Sequence, residues 1–136
     1  MQLPPITATY LAVLALLYAA LSVQVVRMRL SGRVGFGDGG NKPLRSAIRA
    51  HAHFAEYVPI IALMAAILES SGLPAMTVHL LMGALLVARL LHPFGMYAEP
   101  KTLQFQICRS GGMVLTVLVM IACALLILRR LSPSIL

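Results

Sequence analysis

Three side chains in the middle of the sequence have the types and the spacing of a ligand-binding stripe. Arg49, His53 and Glu56 are four and then three residues apart, a spacing that stacks side chains on one face of an α-helix. The arginine and the glutamate would lie two turns, or about 10 Å, apart along that face. A zwitterionic ligand would fit this pair, because Arg49 binds a carboxylate and Glu56 binds an ammonium group. The alternative is a structural ion pair that neutralises Glu56 and binds nothing.

The residues around this stripe add further candidates. His51 is two residues from His53 and points to a different face, where it either lines a neighbouring subunit's side of a cleft or lies at the cytoplasmic interface. Tyr57 supplies a ring suited to packing and a hydroxyl that is able to bond a ligand. Pro59, in a helix interior, frees the carbonyl of Ala55 and bends the axis. The bend would expose backbone polar groups next to the stripe.

The elements that must position these residues are membrane-spanning helices. The chain has 136 residues, of which 60% are hydrophobic and 11% charged, and it has no tryptophan, a composition too apolar for an ordinary soluble domain. A hydrocarbon core about 30 Å thick needs roughly 20 apolar residues per helix. We therefore predict an all-α, four-helix transmembrane bundle that forms a single domain over residues 1–136, with helices at roughly 5–27, 44–70, 74–94 and 107–130. The two inner spans reach full length only by including titratable residues, so the chemistry is expected there.

The basic residues predict the orientation of the chain in the membrane. The formal net charge is +7, but the charges cluster at helix ends rather than on one soluble face, so nucleic acid is not an expected partner. Seven basic residues lie in or beside the first and third loops and two follow the last span: Arg27, Arg29, Arg33, Lys42, Arg45, Lys101 and Arg109 against Arg129 and Arg130. By the positive-inside rule, loops one and three face the cytoplasm and both termini face away from it.

The stripe and its surroundings resemble a known family. Residues 49–59 read RAHAHFAEYVP, which is similar to the second-helix signature of the membrane-associated proteins in eicosanoid and glutathione metabolism, the MAPEG superfamily. That signature is an arginine, an asparagine four residues on, a glutamate three beyond it, then tyrosine and a nearby proline. His53 stands where many members have asparagine. Arg29 and Arg33, followed by Val34, resemble the family's arginines at the end of helix one.

The later helices extend the resemblance over most of the chain. Residues 88–92 read ARLLH and resemble the third-helix stretch of a leukotriene-forming member, with His92 where that enzyme has tyrosine. Arg109 and Ser110 match an arginine and serine pair of a prostaglandin-forming member, in which the arginine is held to activate the thiol. The arrangement resembles the small bacterial branch of the superfamily.

By this resemblance the protein would be a homotrimer that binds glutathione, as a co-substrate, in clefts between subunits near the cytoplasmic face of a bacterial inner membrane. Arg109 would stabilise the glutathione thiolate, and no metal or haem is expected. The resemblance assigns the peptide to seven residues: Arg29, Arg49, His51, His53, Glu56, Tyr57 and His92. The thiolate would attack a lipophilic electrophile or a hydroperoxide that arrives from the membrane lipid. The implied activity is that of a glutathione transferase or peroxidase.

Other functions remain open at this point. A protein that binds glutathione or a lipid without catalysis is one, because a fold does not guarantee an activity. A small multidrug transporter also has four short spans and one membrane glutamate, but here the glutamate lies among arginine and histidines. A haem-carrying bundle would need two histidines at one depth, and His53 and His92 are the candidate pair. For Arg89, one interpretation is an ion pair with Glu56 or another acid across the bundle.

Overall fold

Four long helices make up the protein in the computed structural model, which describes residues 3–99 and 101–135, the side chains of 132–135 excepted. Helix α1 spans Pro5–Gly32, α2 spans Lys42–Ser70 and α3 spans Ala75–Met96. A π-helical segment, Phe105–Gly111, leads directly into α4, Gly112–Ile135. By length and composition each helix is able to cross a membrane, the π-helical segment and α4 forming one span. The predicted all-α architecture with four membrane-length helices is confirmed.

Local capping sets the ends of the first two helices. Helix α1 continues beyond residue 27 and ends at Gly32, because Arg33 takes a left-handed conformation with φ 52°. Asn41 begins α2 by accepting a hydrogen bond from the Leu44 N–H at 3.0 Å. Pro43 fits the first turn of that helix, where its missing N–H is not needed. The first loop is therefore shorter than the sequence predicts.

The core consists of one apolar stripe from each helix. Leu14 of α1, Ile61 of α2, Leu85 of α3 and Cys123 of α4 have no exposed surface and belong to one contiguous cluster. Large apolar side chains also cover the outside of the helices, among them Leu16, Leu63, Leu80 and Leu125. An apolar exterior around an apolar core fits a protein whose solvent is hydrocarbon.

Polar side chains close one end of the bundle, the end that holds the loop at 71–74, which we call the opposite end. Both carboxylate oxygens of Glu69 accept hydrogen bonds at 2.8 Å, from the Ile6 and Thr7 N–H groups in the first turn of α1. A carboxylate is favoured there because those N–H groups lack helical partners and lie at the positive end of the helix dipole. Arg130 of α4 donates to the carbonyl and hydroxyl of Ser71. Contacts within one chain therefore hold this end together.

Two glycines allow close backbone contact at the other end, which holds the loop at 33–41 and residues 97–99 and 101–104, and which we call the basic end. A Cβ atom added to Gly95 of α3 would lie 2.2 Å from the backbone nitrogen of Arg109. A Cβ atom added to Gly112 would lie 3.1 Å from the carbonyl oxygen of Ala88. Since side chains are absent at both positions, the π-helical segment lies directly on α3. This contact fixes the position of Arg109.

Candidate functional site

The predicted stripe on α2 lies at the surface of the single chain. Arg49 and Glu56 are exposed and His53 is half-buried. Among the residues that the structure describes, neither the Arg49 nor the Glu56 side chain has a hydrogen-bond or ion-pair partner. Within one chain, no described arginine neutralises Glu56.

The periodicity of α2 explains this placement. The inner face of the helix carries Ala50, Phe54, Val58 and Ile61, all of them buried, at the three- and four-residue spacing of an amphipathic helix. Arg49 and Glu56 fall between these positions and are exposed. The sequence predicts that the stripe faces other helices, and within one chain only His53 of the three makes a side-chain hydrogen bond to another helix.

His53 and His92 contact each other directly. Nδ1 of His53 lies 3.0 Å from Nε2 of His92, and the ring centroids are 5.2 Å apart with a tilt of 40°. His92 is 2% exposed, so it lies behind His53 as seen from outside the chain. The contact joins the two positions at which the sequence departs from the resembled family members, His53 in the second-helix signature and His92 in the third-helix stretch. Because the two histidines are 39 residues apart, no local sequence pattern predicts this contact.

A buried arginine lies next to the histidine pair. Arg89 is 1% exposed, and its guanidinium donates to the His53 carbonyl at 3.3 Å and to the Thr116 hydroxyl. No carboxylate pairs with Arg89 within the described ranges, and its Nε atom has no partner there. The ion pair between Arg89 and Glu56 is therefore wrong, because Arg89 packs against the inner side of α2 and Glu56 lies on the outer side.

His51 and Tyr57 contact helices of their own chain. Nε2 of His51 lies 3.1 Å from the Ser22 hydroxyl, and its ring stacks on Tyr18 with centroids 4.6 Å apart. Tyr57 is half-buried and packs against the core. The structure thus separates these two side chains from the exposed pair, Arg49 and Glu56. Their assignment to glutathione stays a prediction.

Three arginines surround an open cavity of about 460 Å³ at the basic end. Arg29 comes from α1, and Arg45 and Arg49 come from α2. Asp38 bonds to Arg45, and this hydrogen bond holds the pKa of the Asp38 carboxyl below its usual range. Nη1 of Arg29 is buried without a partner among the described residues. Since one carboxylate balances one of three guanidinium groups, the cavity keeps a positive charge that suits an anion.

Arg109 is exposed on the π-helical segment at the same end of the bundle. Its guanidinium carbon lies 5.0 Å from the centre of the Phe105 ring, a cation–π distance. From there its charge acts on both His53 and His92. The sequence could not place Arg109, because a π-helical turn changes the direction in which each side chain points.

The structure therefore gathers most of the predicted residues at the basic end, in two groups. Arg29 and Arg49 line the cavity, and His53, His92 and Arg109 lie together beside α3. Within the part of the chain that the structure describes, no three His, Cys, Asp or Glu side chains form a cluster suited to a metal ion. The buried Arg89 is the residue that sequence reasoning did not assign to this site.

Comparisons with known proteins identify the family of the chain. The model of the MAPEG family matches residues 7–129. The chain is similar to the inner membrane protein YecN of Escherichia coli strain K12, with 39% identity over 92 residues, which are 68% of this chain and 70% of that protein. YecN of Escherichia coli O6:H1 matches with the same identity and coverage. No solved structure matches the chain. The family predicted from the signature on α2 is confirmed, and the protein is a membrane protein that belongs to the MAPEG family.

Proposed function

We propose that this protein is a membrane-bound, glutathione-dependent transferase or peroxidase, whose site lies between the subunits of a homotrimer. Membership of the MAPEG family supports the class of protein. The similarity to an inner membrane protein of Escherichia coli supports a bacterial inner membrane as its location. By the positive-inside rule, the basic end with the site would face the cytoplasm and both termini would face the other side.

One observation carries the proposal: Arg49 and Glu56 are exposed and unpaired among the described residues, on a helix long and apolar enough to cross a membrane. A charged side chain near the middle of a membrane-spanning helix costs about 3 kcal/mol when it faces lipid. This cost is avoided if a second copy of the chain covers the face and a ligand pairs with both charges. The unpaired stripe thus supports both an oligomer and a charged ligand.

Glutathione fits the charges at this end of the bundle. It carries two carboxylates, one ammonium group and a thiol. The cavity beside Arg49 and Arg29 suits a carboxylate, and the Nη1 atom of Arg29 has an unused donor there. Glu56 would bind the ammonium group, about two helical turns from Arg49. His53 and Tyr57 would bind the peptide between them, whereas the buried His92 would act through His53.

Arg109 would supply the chemistry at the thiol. A guanidinium group beside the sulfur stabilises the thiolate and so lowers the pKa of the bound thiol. In a transferase reaction the thiolate forms a C–S bond with the electrophile, and the leaving group departs with the bonding electrons. In a peroxidase reaction the thiolate attacks the terminal oxygen of a hydroperoxide, and the O–O bond breaks to give a sulfenic acid and, after protonation, the alcohol. The thiol of a second glutathione then displaces water from the sulfenic acid and forms the disulfide.

An apolar groove next to the stripe supports a lipophilic second substrate. The groove has a volume of about 600 Å³ and runs between α1 and α2, where Tyr18, Phe54, Ala55 and Pro59 contribute to its walls. Ala55 directly precedes Glu56 in the sequence. A hydrocarbon tail entering from the membrane would meet apolar side chains along this path and polar groups beside it.

The second candidate function is binding of glutathione or a lipid without catalysis. One observation favours it: His53 and His92 stand where the resembled family members have an asparagine and a tyrosine, so the hydrogen bonds made at these two positions differ. Both candidates involve ligand binding, but only the first predicts turnover.

The proposal is tested by measuring glutathione turnover with a panel of aromatic halides and lipid hydroperoxides in detergent. We expect activity with at least one of them, and we expect Arg109→Ala to reduce kcat about a hundredfold, the size of effect seen when a group that stabilises a developing anion is removed. Arg27→Ala is the matched control, because Arg27 is an exposed arginine at the same end outside the site. Saturable glutathione binding without turnover on any substrate would favour the second candidate. Native mass spectrometry tests the trimer.

A further inference from the structure

The histidine pair connects the interior of the chain to its exposed face. Nδ1 of His53 contacts Nε2 of His92, so each ring has one other nitrogen. The other nitrogen of His92, Nδ1, is buried without a hydrogen-bond partner among the residues the structure describes. The other nitrogen of His53, Nε2, is accessible, and no group among those residues bonds to it. A ligand at the α2 face therefore meets Nε2 of His53.

The charges around the pair favour two neutral rings. Arg89 bonds to the His53 carbonyl at 3.3 Å and lies three residues before His92 on α3, on one helical face. Arg49 and Arg109 add positive charge at His53, and Glu56 adds one negative charge. A further positive charge beside the buried, uncompensated guanidinium of Arg89 would cost free energy. In a pair of neutral imidazoles, one ring donates the shared hydrogen bond and the other accepts it.

The second nitrogen of His92 decides which ring donates. If His53 donated, the proton of His92 would lie on Nδ1, as a buried N–H without an acceptor. The backbone carbonyl of Arg109 lies near the His92 ring, but it is outside hydrogen-bond geometry with Nδ1. If His92 donates from Nε2, its Nδ1 is only an unused acceptor. Buried donors without a partner are rarer than buried acceptors without one.

We propose that His92 is a positioning residue: it donates from Nε2 to Nδ1 of His53, and so holds His53 in the tautomer whose Nε2–H donates to a ligand oxygen. That donor fits a carboxylate or carbonyl oxygen. The identity of the ligand as glutathione rests on the proposed function, whereas the tautomer does not. An asparagine side chain both donates and accepts, but His53 fixed in this way only donates. His53 and His92 then act as one unit.

The tautomers are measured by ¹⁵N NMR of histidine-labelled protein in detergent near neutral pH, without glutathione, and the His92→Gln spectrum assigns the His92 signals. We expect a protonated Nε2 and an unprotonated Nδ1 on both rings. A proton on Nδ1 of His53, or an imidazolium on either ring, would overturn the proposal whether or not glutathione binds.

The functional consequence is measured by calorimetric titration of glutathione into variants. His92→Leu removes the donor, so we expect the dissociation constant to rise about tenfold, the effect of one hydrogen bond. We expect kcat to stay near the wild-type value, because His92 contacts neither the thiol nor the electrophile. His92→Gln keeps an N–H donor and should restore most of the affinity. His79→Leu, at the other end of α3, is the matched control.

The outcomes separate this inference from the proposed function. Wild-type protein that does not bind glutathione contradicts the function and leaves the tautomer to be judged by NMR. Wild-type binding combined with unchanged affinity in His92→Leu, or with no restoration in His92→Gln, contradicts the positioning role. If His92→Leu does not fold, the NMR result on wild-type protein decides.

Discussion

Two glutamates on α2 have opposite surroundings. Glu69, at the opposite end, accepts two hydrogen bonds at 2.8 Å from the first turn of α1. Glu56, thirteen residues earlier on the same helix, has no partner among the described residues. The fold of one chain provides the Glu69 carboxylate with hydrogen bonds and provides none to the Glu56 carboxylate among the described residues. A charged group without a partner in a membrane-spanning helix indicates that another molecule binds beside it.

The same contrast holds for the arginines at the two ends. Arg130 bonds to the carbonyl groups of Ser71 and Gly72 and ties α4 to the loop beside it. Arg49 has no such partner in the described part of the chain, and Nη1 of Arg29 is buried with its donor unused. The opposite end therefore stabilises the bundle, and we infer that the basic end binds a ligand. The predictions below test this division.

The largest expected effect is on glutathione binding by Glu56→Gln. A hydrogen bond to a charged group contributes about 1.5–3 kcal/mol, so the dissociation constant should rise between about tenfold and a hundredfold. Thermal stability in detergent should be unchanged, since no contact in the described chain depends on this carboxylate. Calorimetry and thermal unfolding measure the two quantities. Glu99→Gln, an exposed acid of the third loop, is the control.

Gly95→Ala should disrupt the close backbone contact between α3 and the π-helical segment at the basic end. The added Cβ would lie 2.2 Å from the Arg109 nitrogen, so the π-helical segment must move away from α3. We expect a loss of about 1–3 kcal/mol in stability, as for other overpacked sites, together with a lower kcat because Arg109 is displaced. Gly83→Ala is the matched control on the same helix, because its Cβ would meet only the Tyr10 side chain, whose hydroxyl would lie 3.5 Å away. Equal tolerance of both substitutions would show that the close contact does not matter.

Glu69→Gln should lower stability without changing glutathione affinity, the opposite of what we expect for Glu56→Gln. The carboxylate caps α1, and loss of a helix cap typically costs about 1 kcal/mol. The melting temperature should fall while the affinity for glutathione stays the same. A weakened affinity in this variant would break the division between a structural and a functional end.

The smallest effect is expected from Asp38→Asn. Its hydrogen bond with Arg45 lowers the pKa of Asp38, so the contribution of this contact to stability is present at neutral pH and is lost only as the pH falls through the lowered value. Both side chains are at the surface, Asp38 in the first loop and Arg45 at the start of α2, and ion pairs at a surface contribute little. Melting temperatures of wild type and Asp38→Asn, compared at pH 7 and pH 5, should agree within error. A clear difference would give the first loop a structural role at the basic end.

The sequence predicted the spans and the stripe because both depend on local pattern. Charge-free apolar runs locate the membrane helices, and the spacing of Arg49, His53 and Glu56 places them on one helical surface whatever the rest of the chain does. Helix α1 ends five residues later than the sequence predicts, at Gly32 instead of residue 27, because a left-handed Arg33 is a backbone detail without a sequence signal.

The contacts between helices could not be predicted in this way. The pairing of His53 with His92, and of Arg89 with Thr116, joins residues far apart in sequence. Which side of α3 faces α2 depends on packing over the whole bundle. The resemblance therefore implies that His92 contacts the ligand without showing that it is buried behind His53. One interpretation of Arg89, an ion pair with Glu56 or another acid, is replaced in the structure by hydrogen bonds to the His53 carbonyl and the Thr116 hydroxyl.

Calorimetric titration of glutathione into the purified wild-type protein in detergent tests the central claim most directly. We predict saturable binding with one site per chain in a trimer, and a dissociation constant in or below the millimolar range. The absence of any binding heat or thermal stabilisation at millimolar glutathione, in protein shown to be folded and oligomeric, would contradict the account.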